Sequence, residues 1–356
     1  SEVTINQSEL EQTLNTSIEE QAFSGVISIR QKDDVIYERA AGYADRSNQI
    51  ENSLETRFGI ASGTKFFTAL AIGKLIKAQK LSFSTLLKDC IALDFPHYPQ
   101  EITIRHLLTH TSGIPDYYDE EKIENFDNFT LSIPWYALSG PRDYLAAFPD
   151  EAVKFAPGER FSYSNGGYIL LGVVIEELTG MRYQDFVEQA IFKAIDMNHS
   201  GYFAMNKLPE KTALGYVEEA EGWRTNIYNL PIVGASDGGA FTTVRDITAL
   251  WKAFWSYQIL PKELVEIYVQ SYVKAETEGE QTYYGHGLWI CEEEGRGRKE
   301  YIIGSDPGVS FMSSVDRVNE IEITVISNTT HGAWSMLKDI DILLRGERNK
   351  PVEQSQ

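Results

Sequence analysis

Two residues near the start of a predicted helix, Ser62 and Lys65, have a spacing that could support catalysis. Because they are three residues apart, their side chains fall on one face of the helix. A serine hydroxyl becomes nucleophilic when a neighbouring base removes its proton, and a lysine can be that base only when its own charge is suppressed. Burial and the partial positive charge of a helix N-terminus both suppress that charge. The pair therefore fits a serine nucleophile activated by an amine.

A structural interpretation of the same pair is also open, in which Ser62 is an N-cap and Lys65 is a solvated first-turn residue. The residues that follow favour burial, because apolar side chains cover the predicted helix almost all round. These side chains are Phe66, Phe67, Ala69, Leu70, Ile72, Leu75 and Ile76. A buried helix holds its first turn rigidly.

The composition limits the class of protein. The chain has 356 residues, 42% of them hydrophobic, and can bury a large core. Its 32 basic and 52 acidic residues give a net charge of -20, which argues against nucleic acid or an anionic membrane as a partner. No apolar run approaches the roughly 20 residues of a membrane span, and residues 1–15 lack the segments of a signal peptide. These features predict no particular cellular location and no oligomeric state.

A second group of candidate residues precedes another predicted helix. Tyr163 and Asn165 stand two apart in an extended loop, so their side chains point the same way. A phenol can relay a proton, and an amide can hold a substrate carbonyl. The alternative is a glycine-rich helix start in which Asn165 is only a cap.

Two histidines, His106 and His110, lie one helical turn apart but lack the acidic residue of a His-Glu-x-x-His zinc site. Cys90 and Cys291 are far apart in sequence and have no metal-binding spacing. We therefore expect buried, hydrogen-bonding histidines, no metal and no other cofactor.

The apolar periodicity predicts strands at the two ends of the chain and helices between them. The predicted strands cover residues 25–30, 35–39, 284–290, 301–303, 309–315 and 321–327. The predicted helices cover residues 8–21, the segment after Ser62, and residues 168–179, 183–195, 243–257, 261–268 and 333–344. An irregular stretch at 113–140 is rich in Asp, Glu, Tyr and Pro, and loops of that length are usually functional or mobile.

Taken in order, four segments resemble the serine penicillin-recognising family, which includes class C β-lactamases, D-alanyl-D-alanine carboxypeptidases and related D-aminopeptidases and esterases. The resemblance covers nearly the whole chain. The segments are 58–65 with Ser-x-x-Lys, 104–114 with His-Leu-Leu-Thr-His-Thr-Ser-Gly, Tyr163 to Asn165, and 304–308 with Gly-Ser-Asp-Pro-Gly.

The resemblance implies an α+β fold, in which helices flank an antiparallel β-sheet and a mainly helical domain is inserted. Residues 1–61 and 232–356 would form the sheet domain, residues 62–231 the helical domain, and the site would lie in the cleft between them. This agrees with the periodicity, because strands are predicted only at the two chain ends.

The resemblance also implies roles for individual residues. Ser62 would be the acyl-accepting nucleophile, Lys65 and Tyr163 would share the general-base and proton-relay duties, and Asn165 would orient the substrate amide. The backbone N–H groups of Ser62 and Ser305 would form the oxyanion hole. Gly304 would let the substrate lie against the strand edge, because it has no side chain.

The chain departs from the family pattern at Ile302, where relatives carry Lys or His two residues before the glycine. Isoleucine cannot bind a substrate carboxylate, although His286, Arg296 or Arg298 could replace the lost charge.

The main hypothesis is a serine hydrolase that acts through an acyl-enzyme on an ester, an amide or a D-amino-acid peptide. The alternative is a catalytically silent relative that binds ligands as a sensor. The expected partner is a small-molecule or peptide substrate.

Overall fold

An antiparallel β-sheet of eight strands is the frame of the molecule. The computed structural model describes residues 4–95, 97–275, 281–293, 295 and 297–353. The strands are β1 Gly25–Gln31, β2 Asp34–Ala41, β3 Tyr43–Asp45, β4 Ile50–Glu51, β5 Phe58–Gly59, β6 Tyr216–Glu219, β7 Gly222–Thr225, β8 Phe241–Thr242, β9 Val273–Lys274, β10 Thr282–Tyr284, β11 Trp289–Glu293, β12 Gly297–Asp306, β13 Val309–Asp316 and β14 Ile321–Ser327.

Helices cover both faces of this sheet. They are α1 Gln7–Gln21, α2 Thr64–Lys77, α3 Leu87–Cys90, α4 Ile104–Leu108, α5 Asn165–Thr179, α6 Tyr183–Val187, α7 Val244–Trp255, α8 Lys262–Tyr268 and α9 Gly332–Glu353. Short 3-10 turns occupy Ala61–Gly63, Phe126–Asn128, Trp135–Ala137, Pro141–Ala147 and Lys193–Ile195, and one π-helical turn occupies Glu188–Phe192.

Both ends of the chain contribute to the same sheet. The strand order is β2-β1-β14-β13-β12-β11-β10-β9, and β1 pairs with β14 so that Gly25 lies opposite Ser327. Helices α1 and α9 pack together on one face, where Leu14 and Met336 belong to one buried apolar cluster. The predicted α+β fold with an antiparallel sheet is confirmed.

The main hydrophobic core lies on the other face of the sheet. The helix α2 passes through it with residues 64–73 all buried, and Phe66 packs against Trp251 of α7 at 5.5 Å between ring centroids. The same core includes Ile302 of β12 and Leu170 of α5. Because this core joins side chains from both predicted domains, it holds the two sides of the cleft in place. The division into residues 1–61 with 232–356 and residues 62–231 stays a prediction.

The structure differs from the predicted elements in two places. The single strand predicted at 284–290 is a hairpin of β10 and β11, because Gly287, at a φ of +86°, turns the chain where a Cβ would lie 2.3 Å from Ala69 Cβ. A second hairpin, β6 with β7, lies within the region that was predicted to be mainly helical. Glu294 and Arg296 lie outside the described residues.

Candidate active site

The Ser62 turn joins a short strand to a buried helix. After β5 ends at Gly59, a 3-10 turn over Ala61–Gly63 leads into α2. Ala61 has a φ of +48°, a left-handed conformation that is strained for a residue with a Cβ. Its carbonyl oxygen accepts hydrogen bonds from Thr64 Oγ1 at 2.7 Å and Gly239 N at 3.3 Å. These contacts fix the backbone that carries Ser62.

Lys65 lies one helical turn further on, and its side chain is sealed from solvent at 1% exposure. Its Nζ lies 3.2 Å from Ser62 Oγ and donates to Asn165 Oδ1 and to the carbonyl oxygen of Asp237, both at 2.7 Å. Burial lowers the pKa of this amine, although nearby carboxylates, chiefly that of Asp237, oppose the shift. The solvated first-turn lysine of the structural interpretation is therefore excluded.

The hydrogen bonds of Lys65 leave one position of its amine for the nucleophile. A neutral amine has two N–H groups and one lone pair. The oxygens of Asn165 and Asp237 accept the two N–H groups. In the neutral form the lone pair therefore faces Ser62 Oγ, where it can take the hydroxyl proton.

Tyr163 approaches the same hydroxyl from a distant part of the chain. Its phenol interacts with the Ser62 hydroxyl, and its ring centroid lies 4.7 Å from Lys65 Nζ. The ring packs against buried His110 at 4.3 Å and stacks with Trp289 at 6.1 Å between centroids. Burial raises the pKa of the phenol well above its usual value, and this effect outweighs the opposing effect of the bond to Ser62. The phenol is therefore protonated at neutral pH.

Asn165, the first residue of α5, holds the amine of Lys65 in place. Its Oδ1 accepts from Lys65, and its Nδ2 donates to Asp116 Oδ2 at 3.1 Å and to the Tyr118 carbonyl oxygen at 3.0 Å. Both N–H groups of the amide are thus engaged within the protein. The structure brings Asn165 to Ser62 and Lys65, while its role in orienting a substrate amide stays a prediction.

The end of β12 forms the opposite side of the cleft. A Cβ on Gly304 would lie 2.0 Å from the Ile60 carbonyl oxygen and 2.9 Å from Ser62 N, so only glycine fits. The pairing of β11 with β12 stops at Tyr301, and no described strand pairs with that edge of β12 over residues 302–306. The next residue, Ser305, is exposed. A substrate backbone therefore has an open strand edge beside the nucleophile.

A cleft of about 1070 Å3 opens onto Ser62. Its lining is largely apolar and includes three acidic side chains, Glu120, Asp237 and Asp306. Among the described residues that line the cleft there is no Lys, Arg or His. The space beside the nucleophile is therefore apolar with an acidic region.

A family model described as Beta-lactamase matches residues 10–346, which is almost the whole chain. The chain belongs to the Beta-lactamase family. The resemblance to the serine penicillin-recognising proteins is thereby confirmed. Penicillin-binding protein 4* of Bacillus subtilis (strain 168) is 30% identical over 320 residues, which are 85% of this chain and 67% of that protein.

Solved structures of other proteins have the same fold. The penicillin binding protein from Bacillus halodurans superposes with a TM-score of 0.87 at 41% identity and covers 93% of this chain and 99% of its own. The D-amino acid amidase from Ochrobactrum anthropi SV3 superposes with a TM-score of 0.78 at 22% identity and covers 96% of this chain and 99% of its own. The second likeness shows the fold alone.

This Beta-lactamase family member carries no charge at position 302, where Ile302 is 2% exposed in the main core. The residues that could have replaced the charge lie elsewhere. His286 is fully buried, its Nε2 accepts a hydrogen bond from Arg105 Nε at 3.3 Å, and burial lowers its pKa to about 3. Arg298 is paired with two glutamates, and Arg296 lies outside the described residues.

The sequence analysis missed the acidic residues that surround the nucleophile. The carboxylate of Asp116 accepts the backbone N–H groups of Tyr118, Asn165 and Gly166 at 2.8–3.2 Å, so it positions the start of α5. Glu120 follows in the same loop, and Asp237 comes from a glycine-rich turn near Lys65. The composition of residues 113–140 was a signal for the first two, but nothing in the sequence placed Asp237 at the site.

The two histidines support the backbone near the site. His106 Nδ1 accepts from Thr103 N at 3.0 Å and caps α4. His110 Nδ1 accepts from Ser164 N at 3.0 Å, directly below the Tyr163 ring. Burial lowers the pKa of His110 well below its usual value, so the ring is neutral.

Within the part of the chain that the structure describes, no three or more His, Cys, Asp or Glu side chains are grouped so that they could hold a metal ion. None of the described helices has both the length and the apolar character required to cross a bilayer. The two cysteines are buried and free.

Proposed function

We propose that the chain is a serine hydrolase that works through an acyl-enzyme on Ser62. The observation that carries this proposal is the desolvated amine of Lys65, 3.2 Å from Ser62 Oγ and hydrogen-bonded so that its lone pair faces the hydroxyl. The proposed substrates are amides, esters or D-amino-acid peptides.

The opposite pKa shifts of the two candidate bases assign separate roles to them. Lys65, with a lowered pKa, accepts the proton of Ser62 as the hydroxyl oxygen attacks the acyl carbon. Tyr163, with a raised pKa, remains a phenol and donates its proton to the leaving nitrogen or oxygen. Lys65 then returns the proton to the phenolate oxygen of Tyr163. This refines the shared duties that the sequence analysis expected.

Hydrolysis of the acyl-enzyme reverses these transfers. A water molecule gives a proton to Lys65 and attacks the ester carbon, and the bond to Ser62 Oγ breaks as that oxygen recovers a proton. In both steps the substrate oxygen becomes negative, and the backbone N–H groups of Ser62 and Ser305 are proposed to bind it. Each donor of this kind contributes about 2.7 to 4 kcal/mol to transition-state stabilisation.

Amide substrates are compatible with two of the proteins that the chain resembles. One is a D-amino acid amidase of the same fold, and another is a penicillin-binding protein. Since Ile302 gives this chain no cation at that position of β12, substrates without a free carboxylate fit the cleft better than β-lactams or carboxy-terminal peptides.

Turnover of a substrate panel tests the proposal. The native chain is assayed with activated esters, amides and β-lactams beside Ser62→Ala, and the intact mass is recorded during turnover. We expect an acyl adduct on the native chain and at least a ~10³-fold loss of kcat/KM in the variant. An unmodified mass together with no turnover of any substrate would overturn the proposal.

A catalytically silent ligand-binding or sensor protein is the second candidate, and the buried Ile302 is the observation that favours it. It predicts that a peptide or β-lactam binds equally well to the native chain and to Ser62→Ala, and that neither turns it over. Loss of turnover on that substitution would exclude this candidate.

A further inference from the structure

The orientation of the Asn165 amide decides whether Lys65 can act as a base. A primary amide can turn either its oxygen or its NH2 group toward the Lys65 amine. In the first case the oxygen accepts an N–H group of Lys65, and the lone pair of the neutral amine is left for Ser62. In the second case the amide would donate to that lone pair and occupy it. The structure has the first orientation, with 2.7 Å between Asn165 Oδ1 and Lys65 Nζ.

Two acceptors hold the amide in this orientation. Asn165 Nδ2 donates to Asp116 Oδ2 at 3.1 Å and to the Tyr118 carbonyl oxygen at 3.0 Å. An ionised carboxylate and a peptide carbonyl accept hydrogen bonds but cannot donate them. If the amide turned over, its oxygen would face two other oxygens and these bonds would be lost.

Asp116 holds both acceptors in place. Its Oδ1 accepts from Tyr118 N at 3.2 Å and from Gly166 N at 2.9 Å, and its Oδ2 also accepts from Asn165 N at 2.8 Å. The bond to Tyr118 N fixes the residue whose carbonyl oxygen is the second acceptor. Asp116 is buried and is not among the described residues that line the cleft. Its influence on the site is therefore exerted from behind Asn165.

The ionised form of Asp116 is the form that fits these contacts. Burial raises the pKa of this carboxyl to about 7, and the backbone N–H groups of Asn165, Gly166 and Tyr118 oppose that shift. Both carboxylate oxygens face N–H donors, so a proton on either oxygen would point at a donor. The contacts are therefore complete above this pKa, where the carboxylate predominates.

We propose that Asp116 is a positioning residue for the general base. Its carboxylate keeps the oxygen of Asn165 turned toward Lys65, and this directs the lone pair of the amine to the Ser62 hydroxyl. Within the part of the chain that the structure describes, no hydrogen bond joins Asp116 to Ser62 or Lys65, so the effect passes through Asn165. The inference rests on the proposed function and adds to it a residue that does not touch the substrate.

Asp116→Asn should turn the Asn165 amide over. The substitution replaces a carboxylate oxygen by an NH2 group that needs an acceptor, and the oxygen of a turned Asn165 amide can supply it. Fluorophosphonate labelling of Ser62, followed by intact mass at a pH above the pKa of Asp116, measures the consequence. We expect labelling to be at least about tenfold slower than in the native chain.

Two further variants accompany this substitution. Asp119→Asn is the matched control and should be labelled at the native rate, because Asp119 lies in the same loop but accepts from Glu121 N at 3.1 Å rather than from Asn165. Asp116→Ala removes the acceptors without adding a donor, and it should also slow labelling. It replaces Asp116→Asn if urea unfolding shows that the latter does not fold.

A double-substitution cycle distinguishes this role from a structural one. Asn165→Ala removes the amide but keeps the backbone N–H groups of residues 165 and 166 that Asp116 also binds. If Asp116 acts through the amide, adding Asp116→Asn to Asn165→Ala should slow labelling less than about twofold further. The same loss on both backgrounds, or labelling of Asp116→Asn at the native rate, would overturn the inference.

Neutron diffraction from deuterated crystals shows the amide orientation without any reaction at Ser62. In the native chain the deuterium atoms of the Asn165 amide should point to Asp116 and Tyr118, and in Asp116→Asn one should point to Lys65. Deuterium atoms that point to Lys65 in the native chain, or the native orientation in a slowly labelled Asp116→Asn, would overturn the inference alone. A native chain that is not labelled at Ser62 would instead overturn the proposed function, and this inference with it.

Discussion

The two sides of the cleft differ in how their ionisable side chains are hydrogen-bonded. On the side of Ser62, the amine of Lys65 is buried, its two N–H groups meet the oxygens of Asn165 and Asp237, and in the neutral form its lone pair faces the nucleophile. On the side of β12, Ile302 is buried at the position where the resemblance implies a cation, and the Asp306 side chain lines the cleft without a hydrogen bond to any described residue. The first side is a closed network, whereas the second is open and acidic.

This difference separates the chemistry from the choice of substrate. The closed network needs only the reacting carbonyl to complete it, so it can serve any acyl group. The open side has a carboxyl group, that of Asp306, without a hydrogen bond to the described residues, and a substrate can complement it. In this family member the nucleophilic residues match the family pattern, while the residue that would bind a carboxylate does not.

Among the substitutions that test this comparison, Tyr163→Phe should reduce activity most, because it removes a hydroxyl group from the closed network beside Ser62. We expect kcat/KM on an amide to fall about 10²-fold, since the leaving nitrogen loses its proton donor. A 4-nitrophenyl ester should lose much less, because its leaving group departs as a stable anion.

Tyr183→Phe is the matched control for the loss of a buried phenol. The Tyr183 hydroxyl bonds to Thr68 and Tyr202, not to Ser62. If both variants lost the same activity on both substrates, Tyr163 would have only a packing role.

Ile302→His introduces a basic group on the open side and should have an intermediate effect. A polar ring in this buried position should reduce the free energy of unfolding by about 1–3 kcal/mol. Turnover of carboxylate-bearing anilides relative to neutral ones should rise less than tenfold, because Glu120, Asp237 and Asp306 still line the cleft. Urea unfolding and paired kinetics measure the two effects. An unchanged substrate ratio would show that the missing charge at 302 does not control selection.

The pH dependence of stability should show the smallest effect. Burial, with Glu120 and Asp237 nearby and Lys65 opposing, raises the pKa of Asp306 to about 8. A carboxyl with a raised folded-state pKa contributes stability below its unfolded pKa of about 3.9 and loses it as the pH rises through about 8. Urea unfolding across this pH range should show that the free energy of unfolding of the native chain falls, relative to that of Asp306→Asn, as the pH rises. Parallel curves for the two proteins would contradict the shift.

The fold and the nucleophile could be predicted because they depend on local signals. The β-rich pattern of residues 25–30 and 321–327 indicated strands, and these two strands pair with each other in the sheet. The apolar run after Lys65 indicated a buried helix, which is what desolvates its amine. Spacing alone placed Ser62 and Lys65 on one face.

The surroundings of the nucleophile could not be predicted, because they depend on contacts between distant segments. Asp237 lies 172 residues after Lys65 in the chain. It contacts Lys65 through its backbone carbonyl oxygen, which has no sequence signature. Asn165 was predicted to point toward substrate, yet in the fold its N–H groups are satisfied by Asp116 and Tyr118. The hairpin of β10 and β11 was missed because the sequence alone does not show that Gly287 takes a φ of +86° and turns the chain between Tyr284 and Trp289.

Labelling of Ser62 by a fluorophosphonate tests the central claim most directly, namely that the neutral amine of Lys65 activates the hydroxyl. Native protein, Lys65→Met and the control Lys77→Met, which alters an exposed residue of the same helix, are incubated at neutral pH and followed by intact mass. The account predicts one adduct on Ser62 in the native protein and the control, formed at least ~10³-fold faster than in Lys65→Met. Labelling of Lys65→Met at the native rate, or an unlabelled native protein, would contradict it.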